Sequence, residues 1–178
     1  MDNSESKQQK NSKWLILLLL LITLVCICIT VWTLFFRDKP TLAPDYAPQK
    51  AEEHAETIPD DSGGKFQSPD GGGSVSLTYS DQAVIDLSEE TASLYFANPG
   101  KSNQDVVLQI VIQDTVLVQS GMLAPGNQVR ILDLLDGAGQ QLSPGGYEGK
   151  FAVFYYSPDS GEKAILNTEI PITISVNE

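Results

Sequence analysis

Hydrophobic and polar positions divide the chain into three regimes. From Trp14 to Phe36 apolar residues run without a single charge, broken only by Thr23, Thr30 and Thr33. At about 1.5 Å per residue a helix of this length reaches roughly 35 Å, enough to cross a hydrocarbon core of about 30 Å with some tilt. From Arg37 to Gly73 large apolar side chains almost vanish. Acids, five prolines and the glycine pairs and triples Gly63-Gly64 and Gly71-Gly72-Gly73 take their place. Such a segment buries too little surface to offset its ordering entropy, so a disordered linker is predicted. From Ser74 onward the period becomes two, which is the signature of half-buried strands.

The pattern in the third regime predicts seven or eight strands. Val75, Leu77 and Tyr79 alternate with serine and threonine, and Val84–Leu87 continues that strand or pairs with it. Ala92–Ala97 follows and ends at Asn98-Pro99-Gly100. Asp105–Gln113 is apolar on both faces, as a central strand is. Gln113-Asp114-Thr115 reads as a tight turn into Val116–Val118. Ala124-Pro125-Gly126-Asn127 is a strong turn, followed by a strand over Gln128–Leu135 with Val129, Ile131 and Leu134 as its apolar positions. Tyr147–Tyr156 is rich in aromatics on both faces. Ile165–Val176 places Ile170, Ile172, Ile174 and Val176 on one face, with Pro171 on the other set, which points to an edge or a bulge. Connections long enough for crossover helices are missing, so an antiparallel β-sandwich is expected, with a small barrel as the other architecture.

Charge adds a direction. The 178-residue chain carries a net charge of −12. Residues 1–37 are net positive through Lys7, Lys10, Lys13 and Arg37, whereas both later regimes are acidic. The positive flank predicts an N-terminus inside and the remainder outside, with Trp14 and Trp32 as interfacial aromatics. A signal peptide has a shorter apolar core and small residues at a cleavage site; here the run ends in Leu34-Phe35-Phe36-Arg37. A lipoprotein needs a small residue before its cysteine, and Val25 and Ile27 precede Cys26 and Cys28. An uncleaved signal-anchor is the reading that remains. The organisation expected is a cytoplasmic stub over 1–13, a transmembrane helix over 14–36, a linker over 37–73 and an extracellular domain over 74–178. An acidic exterior excludes nucleic acid as a partner. The absence of cysteine beyond residue 28 favours a bacterial cell envelope over a disulfide-stapled secreted domain.

Candidate chemistry is sparse. His54, the one histidine, lies in the linker and reads as a solvated residue. Residues 74–178 therefore lack the histidine that a triad or an ordinary zinc site would use. Asp133 and Asp136 could be paired for glycoside chemistry, but nothing places them as acid and base around a cleft; Asp159, Ser160 and Glu162 could bind calcium, but they lack the regular oxygen-ligand spacing of a dedicated loop. Phe151, Phe154, Tyr155 and Tyr156 read as core in preference to a carbohydrate-binding face. No catalytic residue, cofactor site or metal site is predicted, and the expectation is a non-enzyme.

Turn chemistry carries one resemblance. Leu142-Ser143-Pro144-Gly145-Gly146-Tyr147, before an alternating strand, resembles the Leu-x-Pro-Gly-x-Tyr entry into a late strand of bacterial immunoglobulin-like and fibronectin-like domains. Tyr95-Phe96-Ala97-Asn98-Pro99-Gly100, leading into Val106–Ile112, is similar to their early strand and Asn-Pro turn. The whole arrangement resembles small, uncharacterised membrane-anchored proteins of Gram-positive bacteria. The resemblance implies an immunoglobulin-like fold and a tyrosine corner at Tyr147. In some domains of that kind a lysine and an asparagine join covalently, which brings Lys150 with Asn167 or Asn177 into consideration. The functional expectation is a single-pass, surface-exposed module making protein contacts in an envelope assembly. Adhesion or binding of a wall polymer or ligand is the alternative. The partner's identity and the oligomeric state are not written in the sequence.

Overall fold

A computed structural model describes residues 14–28, 42–61, 63–68 and 72–178, and the chain separates into two units, Met1–Thr41 and Leu42–Glu178. In the first, residues 14–28 form a helix, α1, whose side chains are exposed. At about 1.5 Å per residue it reaches roughly 22 Å. Among the described residues no helix is long and apolar enough to cross a membrane. The transmembrane helix expected over 14–36 is therefore not supported by the described residues; its second part, with Phe36, lies outside them.

The second unit is mostly β. Its strands are β1 (Glu56–Thr57), β2 (Thr78–Tyr79), β3 (Gln82–Asp86), β4 (Thr91–Asn98), β5 (Asp105–Ile112), β6 (Thr115–Gln119), β7 (Asn127–Asp133), β8 (Gly145–Tyr156) and β9 (Lys163–Asn177). They form one curled sheet in the order β1-β7-β4-β3-β9-β8-β5-β6, with β2 paired to β4. The ends of the curl meet, since Val118 bridges Leu134 and the Leu135 amide donates to the Leu117 carbonyl at 2.8 Å. One 3-10 turn, Gly139–Gln141, interrupts the β structure.

β3 turns the corner of the curl. It pairs antiparallel with β4 (Val84 opposite Ser93) and parallel with β9, from Gln82 opposite Thr173 to Asp86 opposite Asn177. The two halves of the sheet close over a single core to which Phe96, Leu108, Ile110, Phe151 and Ile174 contribute. Phe96 of β4 meets Phe151 of β8 edge to face, with ring centroids 6.0 Å apart, a favourable aromatic geometry. All eight positions of β5 are buried, as its two apolar faces predict. In β9, Ile170, Ile172, Ile174 and Val176 face inward.

Two strands depart from the expected pattern. In β7 the buried apolar residues are Val129 and Leu132, whereas Ile131 is exposed. The β4–β7 register shifts between Ser93 and Phe96, and that bulge reverses the parity of the strand. In β9, Pro171 lies opposite Lys150 of β8. The Thr173 amide points toward the β3 side, donating to the Asp81 carbonyl at 2.8 Å, so position 171 faces the same way. β3 begins to pair only at Thr173, and the missing N–H of Pro171 thus falls where β9 is locally an edge.

The segment expected to be a disordered linker is different. Residues 42–61 and 63–68 form a strap against the sheet. The Ala47 amide donates to Gly161, the Glu52 amide to Met122, the Ile58 amide to Gly126 and the Phe66 amide to Lys101, at 2.7–2.9 Å. β1 pairs with β7 (Glu56 opposite Gln128). Composition alone misses this because the strap is held by backbone hydrogen bonds and charged side chains, with few apolar anchors.

Candidate interaction surface

Alternation along β8 sends Phe151 and Val153 into the core and Lys150, Ala152, Phe154 and Tyr156 to the outer face of the β9-β8-β5 layer. One end of that face is covered. Tyr156 is fully buried although it points outward, and its hydroxyl donates to the Pro44 carbonyl at 2.9 Å. Burial, and then the negative charge of Asp45, push the Tyr156 hydroxyl's pKa up. Gln119 Oε1 accepts from the Ala43 amide at 2.9 Å and from Gln109 Nε2 at 2.7 Å. Lys163 donates to the Ala43 carbonyl at 2.8 Å, approaches Asp45 at 3.3 Å and stands over the Phe154 ring. The strap therefore closes this half of the face.

The other half is open. A shallow groove there has Gly149 in its floor and Val111, Gln113, Glu148 and Pro171 along its sides. Lys150 and Glu169 cross it as an ion pair at 2.9 Å. Gly149 is required by close approach: a Cβ there would meet Ile174 Cδ1 at 2.5 Å and the Val111 carbonyl at 2.9 Å. Gln113, at the β5–β6 turn, holds a left-handed backbone with φ 54°. Both charge signs, the Gln113 amide, a backbone floor and the apolar side chains of Val111 and Pro171 fit contacts with another protein's surface. The groove is absent from the sequence reading, because residues more than fifty positions apart meet only through the β5–β8–β9 pairing.

The structure distributes the sequence candidates elsewhere. The Tyr147 hydroxyl donates to the Ser143 carbonyl at 2.8 Å and accepts from the Ser143 amide at 3.3 Å, a local closure like that of a tyrosine corner. His54 meets Asp133 at 3.3 Å, so it fastens the strap to the end of β7, and Asp136 lies in the turn beyond. Asp159, Ser160 and Glu162 sit in the β8–β9 turn, where the Ser160 amide donates to Ser157 Oγ and the Glu162 amide to Ser160 Oγ, each at 3.3 Å. Among the described residues no three His, Cys, Asp or Glu side chains gather as metal ligands would. Asn167 lies opposite Phe154 and Asn177 opposite Asp86; Lys150 pairs with Glu169 instead. Tyr155 shares a 2.7 Å hydrogen bond with Thr168. Trp14 is exposed on α1.

Polar residues that the sequence did not single out hold the β4–β5 loop. Asn98 is fully buried, and its Nδ2 donates to the Gln104 and Leu123 carbonyls at 3.0 and 3.1 Å. Ser102 Oγ accepts from the Ser76 amide at 2.9 Å and donates to the Ser76 carbonyl at 3.1 Å. Asp105 is buried, and the loss of water raises its carboxyl pKa against the opposing pull of Lys65.

No protein-family model matches the chain, and no curated protein matches it. A solved structure to which it is similar is that of AggA, the major subunit of aggregative adherence fimbriae type I from Escherichia coli. That match has 13% identity, covers 60% of this chain and 96% of that one, and has a TM-score of 0.29. At that score the likeness carries no argument about this chain.

Proposed function

We propose that this protein is a single-pass, membrane-anchored module whose immunoglobulin-like outer domain binds another protein within a bacterial cell-envelope assembly. The Trp14–Phe36 stretch, uncharged over its whole length, supports the anchor, and the positive flank before it supports an extracellular C-terminal domain. The pairing of β3 with both β4 and β9 supports the immunoglobulin-like assignment. The observation that carries the binding role is the half-open outer face. The strap seals one end of the β9-β8-β5 layer, and the groove around Gly149 leaves mixed charge, backbone and the side chains of Val111 and Pro171 open at the other. The reading assigns no catalysis, no cofactor and no nucleic acid.

A photo-crosslinking residue at Glu148, in the full chain in intact cells, tests it. The expected result is adducts with defined envelope proteins, lost when the label is moved to Glu89, exposed in the β3–β4 turn. Adducts with wall polysaccharide alone would replace the protein-binding reading by adhesion to a wall polymer. Protease added outside should also remove the C-terminal domain; full protection overturns the orientation.

A further inference from the structure

The β8–β9 hairpin exposes an apolar pair. Lys163 lies opposite Tyr156 and Asn167 opposite Phe154, so Ala164, Ile165 and Leu166 share the single position of Tyr155. This bulge throws two large side chains out of the ladder. Ile165 is 103% exposed and Leu166 77%. Bulges of this kind re-aim side chains toward a use, and a solvent-facing Ile-Leu pair forfeits the burial that its neighbours on β9 obtain.

The same hairpin receives the start of the strap. Lys163 Nζ donates to Ala43, the Lys163 amide to Asp45 and the Ala47 amide to Gly161. Leu42 and Tyr46, beside them in the chain, are exposed as well. Six Cα–Cα steps separate Leu42 from Phe36, a span of at most roughly 20 Å. A strap docked from residue 42 onward therefore leaves little chain with which to hold this end of the domain away from the apolar stretch.

We propose that the β8–β9 bulge docks on the bilayer that carries the chain's own N-terminal apolar stretch, with Ile165 and Leu166 inserted at its interface. The inference rests on the anchor reading above. The hairpin carries Asp159 and Glu162 in its turn, and its Lys163 is already paired with Asp45, so contact comes from apolar insertion and not from attraction to anionic headgroups.

Full-length protein in phosphatidylcholine vesicles containing brominated lipid tests this. Leu166→Trp, and separately Ile165→Trp, are placed in a background in which Trp14 and Trp32 are replaced by phenylalanine; unaltered protein is measured beside them. Asp114→Trp, in the turn at the far end of β5, is the control. The expected result is strong quenching at 165 and 166 and at the native tryptophans, with none at 114. Quenched native tryptophans with unquenched 165 and 166 overturn the docking and leave the anchor standing. Blue-shifted but unquenched emission at 166 shows burial against protein, a partner or a second copy, and also overturns it. Unquenched native tryptophans remove the anchor and the docking together.

Discussion

Gly121→Ala tests whether the strap is docked as a unit separable from the core. A Cβ at 121 would meet the strap backbone at 2.8 Å (Glu52 Cα), 2.8 Å (Glu52 N) and 2.9 Å (Ala51 C). Ordinary contacts lie near 3.5–4.0 Å, so the strap must retreat by roughly 0.7–1 Å. Three hydrogen bonds depend on its position: Gly121 N to Glu52 Oε2 at 2.6 Å, Glu52 N to the Met122 carbonyl at 2.9 Å and Met122 N to the Lys50 carbonyl at 3.1 Å. A neutral bond contributes about 1 kcal/mol and one to a carboxylate about 1.5–3 kcal/mol. Loss of all three amounts to about 3–5 kcal/mol, or roughly 10²–10⁴-fold in local opening. The assay is amide hydrogen exchange on the full chain, with trypsin cleavage after Lys50 as a second readout. Glu52 and Met122 should exchange faster by that factor and cleavage should accelerate, while Leu108 and Ile174 in the core keep their protection. Unchanged protection at Glu52 and Met122 would refute the steric argument. Equal acceleration of the core amides would show that strap and core unfold as one.

Gly149→Ala drives a methyl against Ile174 and the Val111 carbonyl, and the backbone atom cannot yield; denaturant unfolding should show about 1–3 kcal/mol of destabilisation. Asp105→Asn should stabilise the domain at neutral pH. The folded carboxyl titrates above its ordinary value of 3.8 because burial disfavours the charge. The folded state thus holds the proton more tightly, and stability is lost as pH rises from that ordinary value through the raised one. Unfolding midpoints across that window should fall with pH in the parent and flatten in the variant. Phe96→Leu removes the edge-to-face contact with Phe151 and leaves a void, costing about 1–3 kcal/mol by thermal or chemical unfolding. Tyr147→Phe forfeits both hydrogen bonds to Ser143 and should cost about 1 kcal/mol, since water replaces them at an exposed site.

Local patterning carried most of the strands. β5, β8 and β9 are readable because burial on one or both faces imposes alternation or continuity on their side chains. Ile131 departs from the alternation of its own strand because the bulge responsible lies in β4, on the partner strand. The β3–β9 pairing joins positions about ninety residues apart, and no local signal encodes it. The groove inherits that opacity, since its walls come from β5, β8 and β9. Tyr156 shows the limit of parity: it points away from the core and is nonetheless buried, because Pro44 and its neighbours lie over it. The strap was invisible for a related reason. Its sequence advertises solubility, and its affinity for the domain resides in carbonyls, amides, the His54–Asp133 contact and the paired charges of Glu56 and Lys163. A cue to the hairpin bulge was present in the consecutive Ile165-Leu166, which breaks the alternation of the strand.

The parallel pairing of β3 with β9 also has a mechanical meaning. A pull applied between the N-terminal side of β3 and the C-terminal end of β9 acts along both strands in opposite directions. The ladder from Gln82–Thr173 to Asp86–Asn177 is then loaded in shear, and its bonds must yield together, whereas a hairpin pulled from its open end unzips one bond at a time. Tension on an anchored chain would reach the strap first and peel it, and would meet this shear clamp second. The fold thus contains a compliant element in series with a stiff one.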